Sequence, residues 1–486
     1  MIVLGMLGYV LLQFIVGVWV SRRISSEADY ILAGRTLGPL LVAFSVFATW
    51  FGAEAIVATS GEVYDRGLVG ATVDPVAYAA AVVISGLVLA SVLWRKGLTT
   101  FADMFRERYS RQVETVVVVV LLPGSIFWAA AQIRAFGGVL STSSGINLTT
   151  TIVFAAILVA AYSVVGGLLA DAVTDFLQGL VVIVGLIVLA IIVAVNTGGI
   201  APVLSNAEPE RLNLFAATDE SPLRKIEQIV IAICGSLVAV ELISRFLGAR
   251  SASVARTGTV AGGLMYLAVG LIPVFLGLAA AHLFKVNPEF KATFSQSEQV
   301  VSALAQHFLP QWNYVVFAGA LISAILSTVH SALHAPASQV SHNIVAKLLP
   351  RLDAKGRLVA VRLTVVALSI VAFVLALTSE RIKDLVEIAS AFGSAGVFVA
   401  AVFGIFTSIG GPASGLGSIV VGVAVWAAGR FALNWKAPYI AALLCSTIAY
   451  LAIAVSQTYM QRSRARQSRA ATPLQTPADY RPTSRP

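Results

Sequence analysis

Residues 45–61 read SVFATWFGAEAIVATSG, an apolar stretch that cannot be a regular helix on its chemistry alone. It is hydrophobic enough for a bilayer, yet Thr49, Gly52, Glu54, Thr59 and Ser60 stand where a plain span would carry leucines. A bilayer offers no water to an unpaired carbonyl, so irregular backbone survives there only around a cavity or a bound ion. A carboxylate such as Glu54 at that depth costs about 2.5–3.5 kcal/mol on insertion scales, which marks it as functional before structural. The stretch is therefore expected to be a broken helix whose exposed carbonyls hold a cation.

The rest of the chain supplies the bilayer context. Of its 486 residues, 58% are hydrophobic and only 12% charged, against about 25% charged in soluble domains. That makes it an all-α integral membrane protein. Apolar runs of about 20 residues fall near 2–20, 38–60, 71–94, 115–142, 149–167, 175–196, 226–247, 257–284, 313–335, 358–378, 384–407, 412–433 and 437–458, about 13 transmembrane helices. The net charge of +9 does not point to nucleic acid. Roughly two thirds of the 33 Lys and Arg lie in the loops after odd-numbered spans and in the tail, so topology explains them. The N-terminus is expected outside and the C-terminus in the cytoplasm, in a bacterial inner membrane. No basic region precedes the first apolar run, so that run reads as an uncleaved helix. Cys234 and Cys445 fall inside apolar spans and imply no disulfide framework.

Spans 2–6 and 7–11 form two sets of five, and an odd-numbered set places the second copy upside down. Span 2 is interrupted around Trp50–Gly52, while span 7 carries Gly235-Ser236 and an intramembrane Glu241. Interruptions at matching positions of two repeats point to a midplane site. The organisation that follows is an N-terminal helix and cytoplasmic loop (1–37), a first five-helix repeat (38–196) and a second, inverted repeat (226–407). Two peripheral helices (412–458) and a basic, Pro/Ser-rich tail (459–486), expected to be disordered, complete the chain. The long external loops 197–225 and 285–312 are candidate lids. No phosphate-binding loop or HExxH stands in the sequence, and no nucleophile–base pair stands out, so an enzyme is not expected.

Span 9 contains FAGALISAILSTVHSALHAPAS, in which Ala324, Ser327 and Thr328 share one helix face. Two hydroxyls and an approachable carbonyl are hard oxygen ligands suited to a hard cation such as sodium. The alternative is that both hydroxyls bond back to their own helix carbonyls. DYILAGRTLG (29–38), SVFATWFGAE (45–54), YSVVGGLLADAVTDFLQ (162–178) and ALISAILSTVHSALHAPAS (320–338) together resemble the sodium:solute symporter family over about residues 5–455. The resemblance implies a LeuT-type 5+5 inverted repeat with discontinuous first helices, and a sodium ion between spans 2 and 9. Its ligands would be the carbonyls of Ala48, Phe51 and Ala324 and the hydroxyls of Ser327 and Thr328. Asp175, in the family's Thr-Asp pair, would guide sodium release, unless Thr174 or Asp175 simply caps its helix.

Glu54, Arg134 and Glu241 form either a neutralising group, with the arginine between two carboxylates, or a set in which a carboxylate faces solute. Trp50, Tyr78 and Trp128 resemble, within the family, the aromatic cage of the high-affinity choline transporters, although Ala239 stands where a further tryptophan would. The substrate-binding set is thus Trp50, Tyr78, Trp128, Glu54 and Glu241. The expectation is a sodium-coupled symporter importing a small organic solute, with an amine or quaternary ammonium ahead of an amino acid or monocarboxylate. A non-transporting solute sensor of the same fold is the rival from another class. The partners are the solute and the lipid bilayer, and the sequence is silent on oligomeric state.

Overall fold

A computed structural model describes residues 2–22, 26–165, 167–216, 220–286, 297–379 and 381–471. Among these, ten helices are long and apolar enough to cross a membrane, and Leu11–Ser21, Pro39–Trp50 and Leu148–Val164 are shorter apolar helices. We number the principal helices α1 (Ile2–Ser21), α2 (Pro39–Trp50), α3 (Thr59–Arg66), α4 (Tyr78–Ile84), α5 (Arg111–Ser144), α6 (Leu148–Val165), α7 (Leu168–Asn196) and α8 (Pro222–Leu237). They continue as α9 (Val240–Leu247), α10 (Ala252–Val286), α11 (Gln311–Gln339), α12 (Ala354–Thr378), α13 (Ile382–Ala391), α14 (Ser394–Phe406), α15 (Pro412–Ala427) and α16 (Pro438–Ala471).

The bundle is organised around α11. In the hydrophobic stretch that includes it, 94% of the apolar window is buried, against 28% for the windows in α12 and α16, which face outward. A helix surrounded on all sides by protein can carry polar groups that lipid would not accept, and α11 carries Ser323, Ser327, Thr328, His330, Ser331 and His334. It packs on α1, α5 and α7, while α10 packs on α2 and α3, and α15 pairs with α16 at the periphery. The final helix runs to Ala471, into the stretch expected to be disordered; residues 472–486 lie outside the described ones.

Three rods are broken. Rod one stops at Trp50 and restarts through a π-turn, Glu54–Ala58, into α3. Rod two breaks between α8 and α9, at Val238 and Ala239, where Ala239 is extended (φ −66°, ψ 120°). The break lies just beyond Gly235-Ser236, where the sequence placed it. Gly235 has a different reason to be glycine: a Cβ there would stand 2.4 Å from the Ser390 carbonyl oxygen on α13. A third break separates α13 from α14 at Phe392 and Gly393, within a span that reads as continuous.

Described residues of both long loops, Arg211 and Ser297, meet α3. Arg211 donates to the carbonyls of Tyr64 (2.5 Å) and Val63 (3.1 Å), partnering the orphan acceptors at that helix end. On the other flank Gly61 lies so close to the backbone of Ser297 that a Cβ would approach it to 2.8 Å. Neighbouring Glu298 accepts from the Ile382 amide (3.1 Å) at the start of α13. Burial in that contact raises the Glu298 carboxyl above its usual range.

Gly393 provides a direct test of the third break. Its φ is +72°, and a Cβ would stand 2.4 Å from Val120 Cγ1 and 2.5 Å from the Val120 oxygen. Gly393→Ala combines left-handed strain with overpacking and should cost about 2–4 kcal/mol. Thermal unfolding of the purified protein should show a clearly lowered midpoint; an unchanged midpoint would contradict this packing.

Candidate functional site

The break after α2 frees backbone groups in a predictable order. Phe51 N still donates to the Phe47 oxygen (2.8 Å), but Gly52 N turns to the Trp50 oxygen (3.0 Å). That leaves the Ala48 carbonyl without its usual i+4 donor. Ala53 N is taken by the side-chain oxygen of Gln132 on α5 (3.0 Å). Phe51, with ψ of 63°, turns its own carbonyl away from the helix direction. Into this gap α11 brings hydroxyls. Thr328 Oγ1 lies 3.0 Å from the Ala48 oxygen and 3.2 Å from the Ala324 oxygen. Ser327 Oγ donates to Asp175 Oδ1, whose other oxygen accepts from Ser45 Oγ at 2.7 Å.

Three of the five oxygens expected to hold sodium meet at Thr328. Thr328 joins the Ala48 and Ala324 carbonyls directly, Ser327 is the preceding residue of the same helix, and the Phe51 carbonyl borders the break. These are five neutral oxygens of the hard type that a hard cation prefers. Thr328 does bond within α11, but the same oxygen also reaches across to α2, so back-bonding alone does not describe it. Gly52 sits against the cluster; a Cβ there would meet Thr328 Oγ1 at 2.8 Å.

Asp175 and Thr174 are not helix caps. Their helix starts at Leu168 with Gly167 as its N-cap, and both lie in its second turn. Thr174 bonds the carbonyls of Ala170 and Asp171 (3.0 Å each) and Tyr162. Asp175 belongs to a buried polar layer that sequence reasoning missed. In it Arg245 on α9 donates to Asp171 and Ser331, and Arg245 Nη1 lies 3.9 Å from Asp175 Oδ2. Thr49 on α2 touches the same Ser331 at 3.4 Å.

Beside the first break opens a cavity whose wall includes Trp50, Glu54, Tyr78, Trp128 and Glu241. All five residues that the sequence marked for solute therefore face one space. Trp50 and Trp128 stand with ring centroids 5.2 Å apart. Tyr266, Ser390 and Phe392 join the wall from α10 and from the third break, and no sequence signal marked them. Ala239 also lines it, at the place where the cage lacks a tryptophan.

The two glutamates differ. Both Glu54 oxygens are engaged, Oε1 by Trp128 Nε1 (2.8 Å) and Oε2 by Gln132 Nε2 (2.5 Å). Glu241 Oε1 accepts from Ser125. Arg134 does not stand between them. Trp128 and Gln132, four apart, place one face of α5 on Glu54, and two further residues turn the helix about 200°. Arg134 instead lines a separate cavity with Val57, Gly138 and Glu298. The sequence placed the arginine by charge balance; helical phase overrules it.

Comparison with known proteins decides the family. The profile of the Sodium:solute symporter family matches residues 30–412. The chain belongs to the sodium:solute symporter family. The fold agrees. A Na+-coupled sialic acid symporter in its substrate-bound outward-open state superposes with a TM-score of 0.83 at 16% identity, over 93% of this chain and 97% of that one. Mhp1, a nucleobase-cation-symport-1 family transporter, superposes at 0.57 and 14% identity, over 94% and 98%. The architecture is thus the LeuT type. The curated relatives include the High-affinity choline transporter 1 of Caenorhabditis elegans, 28% identical over 78% of this chain. They also include the Sodium/glucose cotransporter of Vibrio parahaemolyticus, 26% identical over 75% of this chain and 72% of its own length. The chain spans 68% of the length of that nematode relative and 62% of its Drosophila melanogaster counterpart.

For a symporter of this family, the five-oxygen cluster has a measurable consequence. The double substitution Ser327→Ala with Thr328→Ala should raise the sodium concentration for half-maximal binding at least about tenfold, or about 1.4 kcal/mol. Radiotracer sodium binding to purified protein measures it, and an unchanged sodium affinity would place the ion elsewhere.

Proposed function

We propose that the protein is a sodium-coupled symporter importing a small organic cation, an amine or a quaternary ammonium such as choline, by alternating access. The observation that carries this reading is the cavity wall. It brings Trp50, Tyr78, Trp128 and Tyr266 together with Glu54 and Glu241, and no Lys, Arg or His is among its lining residues. Aromatic faces attract a desolvated cation by about 2 kcal/mol. Glu241, in the same wall, would balance the charge. Glu54 would act one step back by fixing the Trp128 ring through its indole N–H. An amino acid or monocarboxylate is supported less well, because its carboxylate would meet two acidic side chains and no basic one. A non-transporting sensor finds no separate output domain in the described residues.

In this reading sodium bridges α2 and α11 through the oxygens of Ala48, Phe51, Ala324, Ser327 and Thr328, and Asp175 lies on its route of release. The driving force suffices. A potential of about 100 mV contributes about 2.3 kcal/mol per charge, and a tenfold sodium gradient adds about 1.4 kcal/mol. Together they would accumulate a neutral solute about 500-fold per sodium. A cationic solute also moves down the potential itself. The N-terminus lies outside and the C-terminus in the cytoplasm of a bacterial inner membrane.

Two measurements test the proposal. In proteoliposomes, Trp128→Leu should weaken choline by about 1–2 kcal/mol, or roughly 5- to 30-fold, and Trp128→Phe should weaken it less. Both variants lose the indole N–H that meets Glu54, so the difference between them isolates the aromatic face. Equal losses would mean that shape decides, and the cation reading would fall. For orientation, a cysteine replacing Ser205 should react with an impermeant thiol reagent added outside spheroplasts, while one replacing Ser468 should stay unlabelled. The reverse pattern would invert the topology.

A further inference from the structure

Above the solute cavity lies a second space that shares Glu54 and Tyr78 with it and has Asp74 and Thr59 in its wall. Asp74 occupies the stretch Thr72–Ala77 ahead of α4, and its backbone is locally extended (φ −123°, ψ 121°). Its side chain is buried, with 9% of the residue exposed. Tyr266 on α10 donates its hydroxyl to Asp74 Oδ1 at 2.8 Å. The other oxygen, Oδ2, is buried and receives no hydrogen bond.

The groups around Asp74 have no proton and no positive charge to spare for it. The Thr59 hydroxyl lines the same space and donates its single proton to the Glu54 carbonyl at 2.9 Å. Glu54, a second acid, acts on Asp74 through space, and Tyr78 contributes a neutral phenol. The basic residues of the upper space are engaged elsewhere. Arg66 pairs with Glu62 (3.2 Å) and Glu220 (3.1 Å), Lys383 with Glu62 (2.8 Å), and Lys225 donates to the Ala216 oxygen (2.5 Å). Arg224, at the same end, meets Glu387, another residue of that wall. Among the described residues, no basic group lies within ion-pair distance of Asp74.

A lone ionised carboxylate in such a place would be buried with one donor and no counter-ion, an arrangement that proteins avoid. A metal ion does not resolve it, because two carboxylate oxygens and one hydroxyl fall short of the six or more oxygens that a calcium-like ion takes, or the near-octahedral set of a magnesium-like one. A proton does resolve it. We infer that Asp74 is a proton-binding site at the neck between the outer space and the solute cavity, holding a neutral carboxylic acid in this conformation. The proton sits on Oδ2, the oxygen that accepts no hydrogen bond, while Oδ1 accepts from Tyr266 on α10. Deprotonation would leave a buried negative charge with one donor and no counter-ion. Raising the pH through the titration of Asp74 should therefore disfavour this conformation.

The inference does not depend on which solute is carried, and its main test needs none. Infrared difference spectra of the purified protein, taken between acidic and alkaline pH, should show a protonated carboxylic C=O band. Asp74→Asn should lose that band, while Glu54→Gln and Glu241→Gln should retain it. Tyr266→Phe, which removes the donor to Oδ1, should shift it. Asparagine can still accept from Tyr266. Asp74→Asn should thus keep sodium-driven choline uptake at the acidic limb of the wild-type profile and make it flat with pH, whereas Asp74→Ala should lose uptake throughout. A difference spectrum identical in wild type and Asp74→Asn would overturn the site, whatever solute is transported. So would a Tyr266→Phe spectrum with the carboxylic band unmoved.

Discussion

The whole arrangement rests on how a helix can be interrupted where there is no water. Breaking α2 from α3 orphans backbone groups, and each must find a partner or a ligand. Gln132, fully buried on α5, supplies the decisive one. Its oxygen takes the Ala53 amide and its nitrogen donates to the Glu54 carboxylate. One side-chain amide thus terminates the break on its far side and orients the acid that fixes Trp128. The near side is left to the Ala48 carbonyl, which meets the Thr328 hydroxyl of α11. The oxygen cluster and the cavity wall are two outcomes of the same unsatisfied backbone.

From that break a continuous polar layer runs through the protein interior. Thr49 reaches Ser331, Ser331 accepts from Arg245, and Arg245 pairs with Asp171 beside Asp175, which accepts from Ser327. The layer joins α2, α7, α9 and α11, elements from both repeats. A buried guanidinium shared by two carboxylates is costly to separate. The half-helix α9, which carries Glu241 at its start, is therefore held to the same groups that border the cation cluster.

Much of this was legible in the residues. The interruption at Trp50–Gly52 and the hydroxyl face of α11 follow from spacing and chemistry, because each is local to one segment; Trp50, Tyr78 and Trp128, from three spans, were marked by family resemblance. What escaped was relational. Gln132 looks like an ordinary polar residue in a span until the broken helix is placed against it. Arg134 was paired by charge alone, and two positions of helical phase turn it away. Arg245 reads as a loop-edge cation in sequence but is 1% exposed, because α9 ends inside the bundle. The break at Phe392 and Gly393 has no counterpart in hydropathy, since residues on both sides are apolar.

The contacts of Arg211 and Ser297, from the two long loops, with α3 have a mechanical meaning. This half-helix is eight residues long and is separated from α2 by the break. It is gripped on one side by Arg211 and on the other by the backbone around Ser297, which in turn reaches α13 through Glu298. It cannot tilt alone. A rearrangement at the break would carry two loops and the start of α13 with it, so the outer face behaves as a single lever whose fulcrum is the unwound segment beside the cavity. Small changes of backbone angle at Phe51 and Gly52 would then be read out at the surface as displacement of a whole cap.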